Sequence, residues 1–409
     1  MIAAKIVFWA CFAVCLYIYF GYPALLWIIS RFRSRPVREA DVHPRATFII
    51  PAYNEERTIG RKIENTLSLD YPADRIEVLV VSNGSTDRTN EIVSGWSDPR
   101  VRLIALPQPG KMAALNEGAR AATGEVLIFT DADFYLDQHS LRVIARKFAD
   151  PEVGGVCGAR RAAPRPAGES TGEGEGMYHR WDKWQKIRES RIGSVFAADG
   201  LLYAIRRELY VPVSLAAQAD DIAISTRVPL QGYRLLFEPE ATAWEEATIS
   251  AREEFGRKIR VTNHSVRALF AIGAPLVTSG FYSVELLSHK LVRHFIPLFL
   301  VPMFFANLIL VREGPFYALT MAGQLLIYAL AAIGAVLRER PIGRSRVLTV
   351  PYYFCFVNAA ALLGIFAIFR GRKLDAWSTR GEPLSRPELG APLSSPALPA
   401  ARAGEDTGA

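Results

Sequence analysis

The chain has 409 residues, 50% of them hydrophobic, with a formal net charge of +7 and a mean hydropathy of +0.13. That hydropathy excludes an ordinary soluble enzyme and sends attention to long apolar blocks. The excess of cations suits an anionic bilayer surface or a phosphate-rich substrate, and because the basic residues lie beside apolar blocks it argues for a bilayer rather than nucleic acid.

The first apolar block, Ile6 to Ile29, is long enough to cross a bilayer. It is too long for a cleaved signal peptide. Arg31, Arg33, Arg35 and Arg38 follow it. By the positive-inside rule they place the next domain in the cytoplasm. Residues 1–30 are therefore expected to be a transmembrane helix and 31–44 a basic linker.

From residue 45 to 269 the pattern is globular. β-branched runs at Ala46–Pro51, Glu77–Ser82, Val101–Ala105 and Glu125–Thr130 alternate with helical stretches at Glu55–Leu67, Arg88–Val93, Met112–Ala122 and Ser140–Phe148. Such alternation predicts a mainly parallel, doubly wound α/β sheet. Ala162–Gly176, rich in Pro, Gly, Ser and Glu, reads as a mobile loop inside that domain. Residues 270–294 read as interfacial helices, because Ser283–Arg293 mixes leucines with charge. Three further spans are expected within 295–369: Phe295–Val311, Phe316–Leu337 and Val347–Phe369. Arg338, Arg340, Arg344 and Arg346 mark a cytoplasmic loop between the last two. The tail, 370–409, is expected to be disordered. The four cysteines lack metal-ligand or disulfide spacing and read as apolar fillers.

In a doubly wound sheet ligands bind beyond the carboxyl ends of the strands. Three strand ends carry polar clusters: Pro51-Ala52-Tyr53-Asn54-Glu55-Glu56, Ser82-Asn83-Gly84-Ser85-Thr86-Asp87, and Thr130-Asp131-Ala132-Asp133. Asp131 and Asp133 are two residues apart, so in extended chain both carboxylates point one way and can hold a hard divalent cation, which in turn bridges a diphosphate. Lys111 begins a helix, where an ammonium and free backbone N–H groups together suit a phosphate.

The motifs PAYNEE, SNGSTDRT, GKMAALNEG and TDADF, in this order and spacing, resemble family-two inverting glycosyltransferases of the GT-A (Rossmann-like) fold. The resemblance continues through GMYHRWDKWQKIRESRIGS, FAADGLLYAIRREL and SHKLVRHFIP, which are similar to segments of the membrane-bound synthases of poly-N-acetylglucosamine, cellulose and hyaluronan. It implies a GT-A nucleotide-sugar-binding domain plus transmembrane helices. It implies donor contacts from Pro51, Tyr53, Glu55, Asp87, Lys111 and Asp131, with Mg2+ or Mn2+ held by Asp133 beside Asp131. Asp221, preceded by Asp220, takes the position of the catalytic base, and the choice between the two stays open. Asp199, Gly200, Trp181 and Arg206 fall on the acceptor-side segment. The Gln-x-x-Arg-Trp pattern of processive members is altered: Arg257 replaces Gln, Arg260 keeps the arginine and Val261 replaces Trp. Arg257 and Arg260 would grip the donor diphosphate, and Trp181, Trp184 or Trp244 would have to supply any sugar-stacking surface. The implied partners are a nucleotide-sugar donor (UDP-linked), a polysaccharide, glycan or lipid acceptor, the bilayer itself, and export or synthase subunits.

Overall fold

The computed structural model describes residues 1–161, 172–245, 251–338, 340–372 and 374. Part of the segment expected to be a mobile loop, 162–171, and nearly all of the tail lie outside the described residues. Gly172–Gly176, also assigned to that loop, are the first residues of a helix.

The chain opens with helices α1 (Ile2–Leu16) and α2 (Tyr22–Phe32), joined by a π-helical turn into one apolar rod of 31 residues. An extended linker leads to β1 (Ala46–Ala52), α3 (Ile59–Leu67), β2 (Ile76–Asn83), α4 (Thr89–Ser94), β3 (Val101–Leu106), α5 (Lys111–Ala121) and β4 (Val126–Phe129). These are the elements the sequence pattern predicts, with α3 starting four residues later than expected. Then come β5 (Phe134–Leu136), α6 (Ser140–Lys147), β6 (Val153–Arg160), α7 (Gly172–Ile192), β7 (Tyr203–Arg206), α8 (Asp220–Ser225), α9 (Arg227–Leu230) and β8 (Arg234–Glu245).

The eight strands form one sheet in the order β3-β2-β1-β4-β7-β6-β8-β5. The half built from β3, β2, β1 and β4 is parallel. Beyond β4 the sheet is mixed, because β7 runs antiparallel to both β4 and β6 while β5 runs antiparallel to β8. The doubly wound expectation therefore holds for the first half only. Of the later strands, β5 and β7 are short, β6 is glycine-rich, as in Val153-Gly154-Gly155-Val156, and the long β8 is interrupted by Glu238, Pro239 and Glu240, so none gives a β-branched run to read.

Alternation along the strands feeds two cores. Phe48, Ile50, Val78 and Val80 pack against Ile59 and Ile63 of α3 and Ile144 of α6. Ile49, Leu79 and Val81 pack against Leu115 of α5 and Ile224 of α8. Burial on both faces is why β1, β2 and β4 read as continuous apolar runs. Helix α5 crosses β1 closely at Gly118, where an added Cβ would stand 2.5 Å from a methyl of Ile49.

After the sheet come α10 (Ala251–Ala271), α11 (Pro275–Thr278), α12 (Phe281–Glu285), α13 (Val292–Leu310), α14 (Pro315–Leu337) and α15 (Arg346–Phe369). A π-turn at Leu286–Leu291 fuses α12 to α13, giving a 30-residue apolar helix. Four helices in all, Ile2–Phe32, Phe281–Leu310, Pro315–Leu337 and Arg346–Phe369, are long and apolar enough to cross a membrane. The segment 283–293, expected to form interfacial helix, falls within the fused helix Phe281–Leu310. These residues are the first turns of a long helix, and Glu285, Ser288 and His289 are buried against the protein. Their charges face α7, which made the segment read as amphipathic.

Candidate active site

The first two polar clusters are stapled together. Asn54, the one non-glycine at positive φ (54°) among the described residues, accepts from the Thr86 amide at 2.8 Å. Asp87 accepts from the Glu56 amide at 3.0 Å through one oxygen and from the Thr89 amide and hydroxyl through the other. Burial works to raise the Asp87 carboxyl, but these donors outweigh it and hold it below the usual range. Asp87 thus caps α4 and fixes the loop carrying Tyr53 and Glu55 against β2. Glu55 is itself tied back to Thr58 at 2.5 Å. Pro51, next to that loop, is a buried residue of β1.

The third cluster meets Lys111 and α8. The Lys111 ammonium lies 2.8 Å from Asp131 and 3.1 Å from Asp220. Burial opposes its charge, yet these two carboxylates outweigh burial and raise it above the ordinary lysine range. Burial pushes the Asp131 carboxyl up to about 6, with Asp220 and Asp133 adding to the rise and Lys111 opposing it. Asp133 stands one residue beyond Ala132, before β5. A helix start, a strand end and α8 therefore converge on one lysine.

Asp221 has different surroundings. One of its oxygens accepts the Ile222 amide at 2.8 Å. A Cβ built on Gly200 would stand 3.9 Å from the other, so Gly200 leaves a small-residue gap in front of it. Asp221 is pushed up to about 6, first by burial and then by Asp220, with Lys290 opposing. Asp199, one residue before Gly200, lies 2.5 Å from Lys186.

Not every residue expected in the site is found there. Arg206 pairs with Val126 at the opening end of β4, whereas the site lies at its closing end beyond Phe129. Its guanidinium donates to the carbonyls of Phe148, Asp150 and Val153. Arg206 is thus corrected from an acceptor contact to a brace under the sheet. Trp181 packs beneath the Arg293 guanidinium, 4.9 Å from its ring centre. Trp184 is covered by Arg188 and Trp244 packs on Tyr135. Arg257 is held by Glu254 at 2.8 Å, and Lys258 pairs with the same carboxylate. Arg260 is part-buried on α10, and burial and then Arg257 lower its pKa.

Two residues escaped sequence reasoning. Lys62 looks like one more polar position of an amphipathic helix, yet it is fully buried below the Asp131 loop. Asn83 is fully buried at the end of β2 with neither amide atom paired to protein; its place in a strand-end cluster was the available signal.

The donor set fits a hard cation. No trio of Asp, Glu, His or Cys side chains among the described residues is disposed as a metal cage. Asp131 and Asp133 supply carboxylate oxygens only, which suits Mg2+ or Mn2+ completing its shell on substrate phosphates.

The mixed α/β sheet with its carboxylate-lined strand ends, carried on long apolar helices, is a GT-A-like architecture. Residues 47–208 match the family model described as Glycosyl transferase family 2. The chain thus carries a region similar to family 2 glycosyltransferases together with membrane-length helices. It is 30% identical over 219 residues to the Probable glycosyltransferase YdaM of Bacillus subtilis (strain 168), covering 50% of this chain and 51% of that one. It is 28% identical over 220 residues to the Poly-beta-1,6-N-acetyl-D-glucosamine synthase of Staphylococcus aureus (strain COL), covering 52% of each. The chain thus spans about half the length of these curated relatives. Among solved structures it is similar to the mannosyltransferase PcManGT from Pyrobaculum calidifontis in complex with GDP-Man and Mn2+. The TM-score is 0.64 at 26% identity, over 88% of this chain and 99% of that one.

Proposed function

We propose that the protein transfers a sugar from a nucleotide sugar to an acceptor held at the membrane, with inversion at the anomeric carbon and with the catalytic domain on the cytoplasmic side. The observation that carries this reading is the convergence of Asp131 and Asp220 on Lys111, with Asp221 next in the chain. Lys111, Arg260 and the start of α5 neutralise the donor diphosphate. Asp133, with Asp131, would hold a divalent cation, which supplies charge stabilisation for the departing nucleoside diphosphate. Asp221 takes the proton of the attacking acceptor hydroxyl. A carboxylate base that acts directly on the acceptor hydroxyl means one displacement, hence inversion.

For the acceptor, a growing polysaccharide is the first reading, supported by the half-length similarity to a polysaccharide synthase. Addition of one sugar to a membrane lipid is the second. It is favoured by Val261, 42% exposed where processive members carry tryptophan, and by the near full-length likeness to a mannosyltransferase. The donor is read as UDP-linked; the GDP-mannose of that neighbour makes GDP sugars the necessary comparison.

The test is to incubate membranes containing the protein with labelled UDP and GDP sugars, and to resolve products by size. A ladder identifies a polymer and a single glycolipid identifies the second reading. Chelation should abolish labelling and Mg2+ or Mn2+ restore it. Full activity in chelator would remove the metal from the proposal, and no labelling from any donor would remove the transfer itself.

A further inference from the structure

Lys62 is one of the buried titratable groups that the proposed reaction leaves unused. It sits on α3 between Ile59 and Ile63, all three without solvent exposure. Burying an ammonium is costly unless its hydrogen bonds are made. Two of the three an ammonium can give are made here: Nζ donates to the Thr130 hydroxyl at 2.9 Å and to the Phe134 carbonyl at 2.5 Å. Thr130 and Phe134 are the residues immediately before and after Asp131-Ala132-Asp133. One ammonium therefore ties both ends of the loop that displays the two carboxylates. The tie continues inward, because the Thr130 hydroxyl donates to the Leu201 carbonyl at 2.8 Å, next to Gly200 and so to Asp221. No carboxylate among the described residues lies within ion-pair distance of Lys62. A methionine would fill the same slot without the desolvation cost, so packing does not account for a lysine here.

We infer that Lys62 is a positioning residue for the Asp131–Asp133 loop, holding its two carboxylates at the spacing a divalent cation and a diphosphate require. The inference rests on reading those carboxylates as the metal and diphosphate site. Lys62 touches neither ligand. It acts through the backbone and hydroxyl that frame them, as groups behind metal ligands commonly do.

The test uses the full-length protein in detergent and measures Mn2+ binding by electron paramagnetic resonance in the presence of UDP or GDP, alongside thermal unfolding. Asp133→Asn serves as the control. Lys62→Met should weaken Mn2+ binding by about 10- to 100-fold, the usual cost of losing such a support. Thr130→Val, which removes one arm and keeps the charge, should weaken it in the same direction and serves as the sole test if Lys62→Met does not fold. If Asp133→Asn binds Mn2+ as the wild type does, the metal reading itself falls, and this inference with it. If Asp133→Asn loses the metal while the folded Lys62→Met and Thr130→Val proteins bind it normally, the metal reading stands and Lys62 is merely a core residue. A change in unfolding temperature without a change in Mn2+ affinity likewise reduces Lys62 to a core residue.

Discussion

Asp220 and Asp221 are adjacent in the chain and differ in what they face. Asp220 pairs with Lys111 at 3.1 Å, which on the proposed reading puts it on the donor-diphosphate side. Asp221 pairs with no cation at that range among the described residues, takes one backbone N–H and faces Gly200. A base must be ionised and still free to accept a proton, which favours Asp221. Burial, followed by Asp220 and, less strongly, Asp199, raises its carboxyl; Lys290 and the Ile222 amide pull the other way and leave it at about 6. The working form is the ionised one, so kcat/KM should be level above pH 6 and fall about tenfold per unit below it. Asp221→Asn should lose about two orders of magnitude or more in rate while still binding the nucleotide sugar. A profile flat down to pH 5, or a dead Asp220→Asn beside an active Asp221→Asn, would move the base elsewhere. The sequence narrowed the base to two residues and could go no further, because what separates them is a contact with Lys111 from a helix 109 positions earlier in the chain.

At the scale of elements, legibility followed composition rather than burial. β1, β2 and β4 are apolar runs, and β3 was readable although none of its residues is fully buried; β5, of three residues, and the glycine-rich β6 were not, though both are buried. Lys62 shows another failure. Within Ile59–Leu67 it shares the buried face with Ile59, Ile63 and Thr66, but a lysine there reads as one that reaches out to solvent, and only the position of the Asp131 loop shows where its ammonium ends. The arginine segment of α10 is a third case. Arg257, expected to grip phosphate, is paired with Glu254, as is Lys258, so on the proposed reading Arg260 is the cation of that segment left for a diphosphate. Arginine forms paired, charge-assisted hydrogen bonds to phosphate that lysine cannot copy. Arg260→Lys should therefore weaken nucleoside-diphosphate inhibition and slow transfer together. Val261→Trp should leave that inhibition constant alone and change product length if anything. Should Arg260→Ala instead lower membrane association while the inhibition constant of solubilised enzyme stays put, α10 is a lipid-facing basic surface and its donor role is lost.

At the scale of the molecule, the catalytic domain is joined to its long helices by buried charge as well as by apolar packing. Phe196, Ala219 and Ile222 of the domain pack with Leu286 and Leu291. Beside them His289 is wedged between two carboxylates of α7, with Glu189 at 2.6 Å from Nδ1 and Asp182 at 3.1 Å from Nε2. Glu189 also accepts from Tyr22 of the first long helix at 2.5 Å. One carboxylate thus joins α2, α7 and the helix leading into α13. His289→Leu would leave Asp182 with Lys186 and Arg293, but it would leave the fully buried Glu189 with Tyr22 alone. An uncompensated buried charge costs about 3–5 kcal/mol, whereas replacing both partners by apolar groups is often neutral. The unfolding temperature of the detergent-purified full chain should therefore drop sharply for His289→Leu and recover in the double variant His289→Leu, Glu189→Met. Equal destabilisation by the single and double changes would mean that the junction is held by its apolar contacts alone. Recovery of stability in the double variant without recovery of transfer would show that this junction also sets the position of α7 beside Asp199 and Asp221.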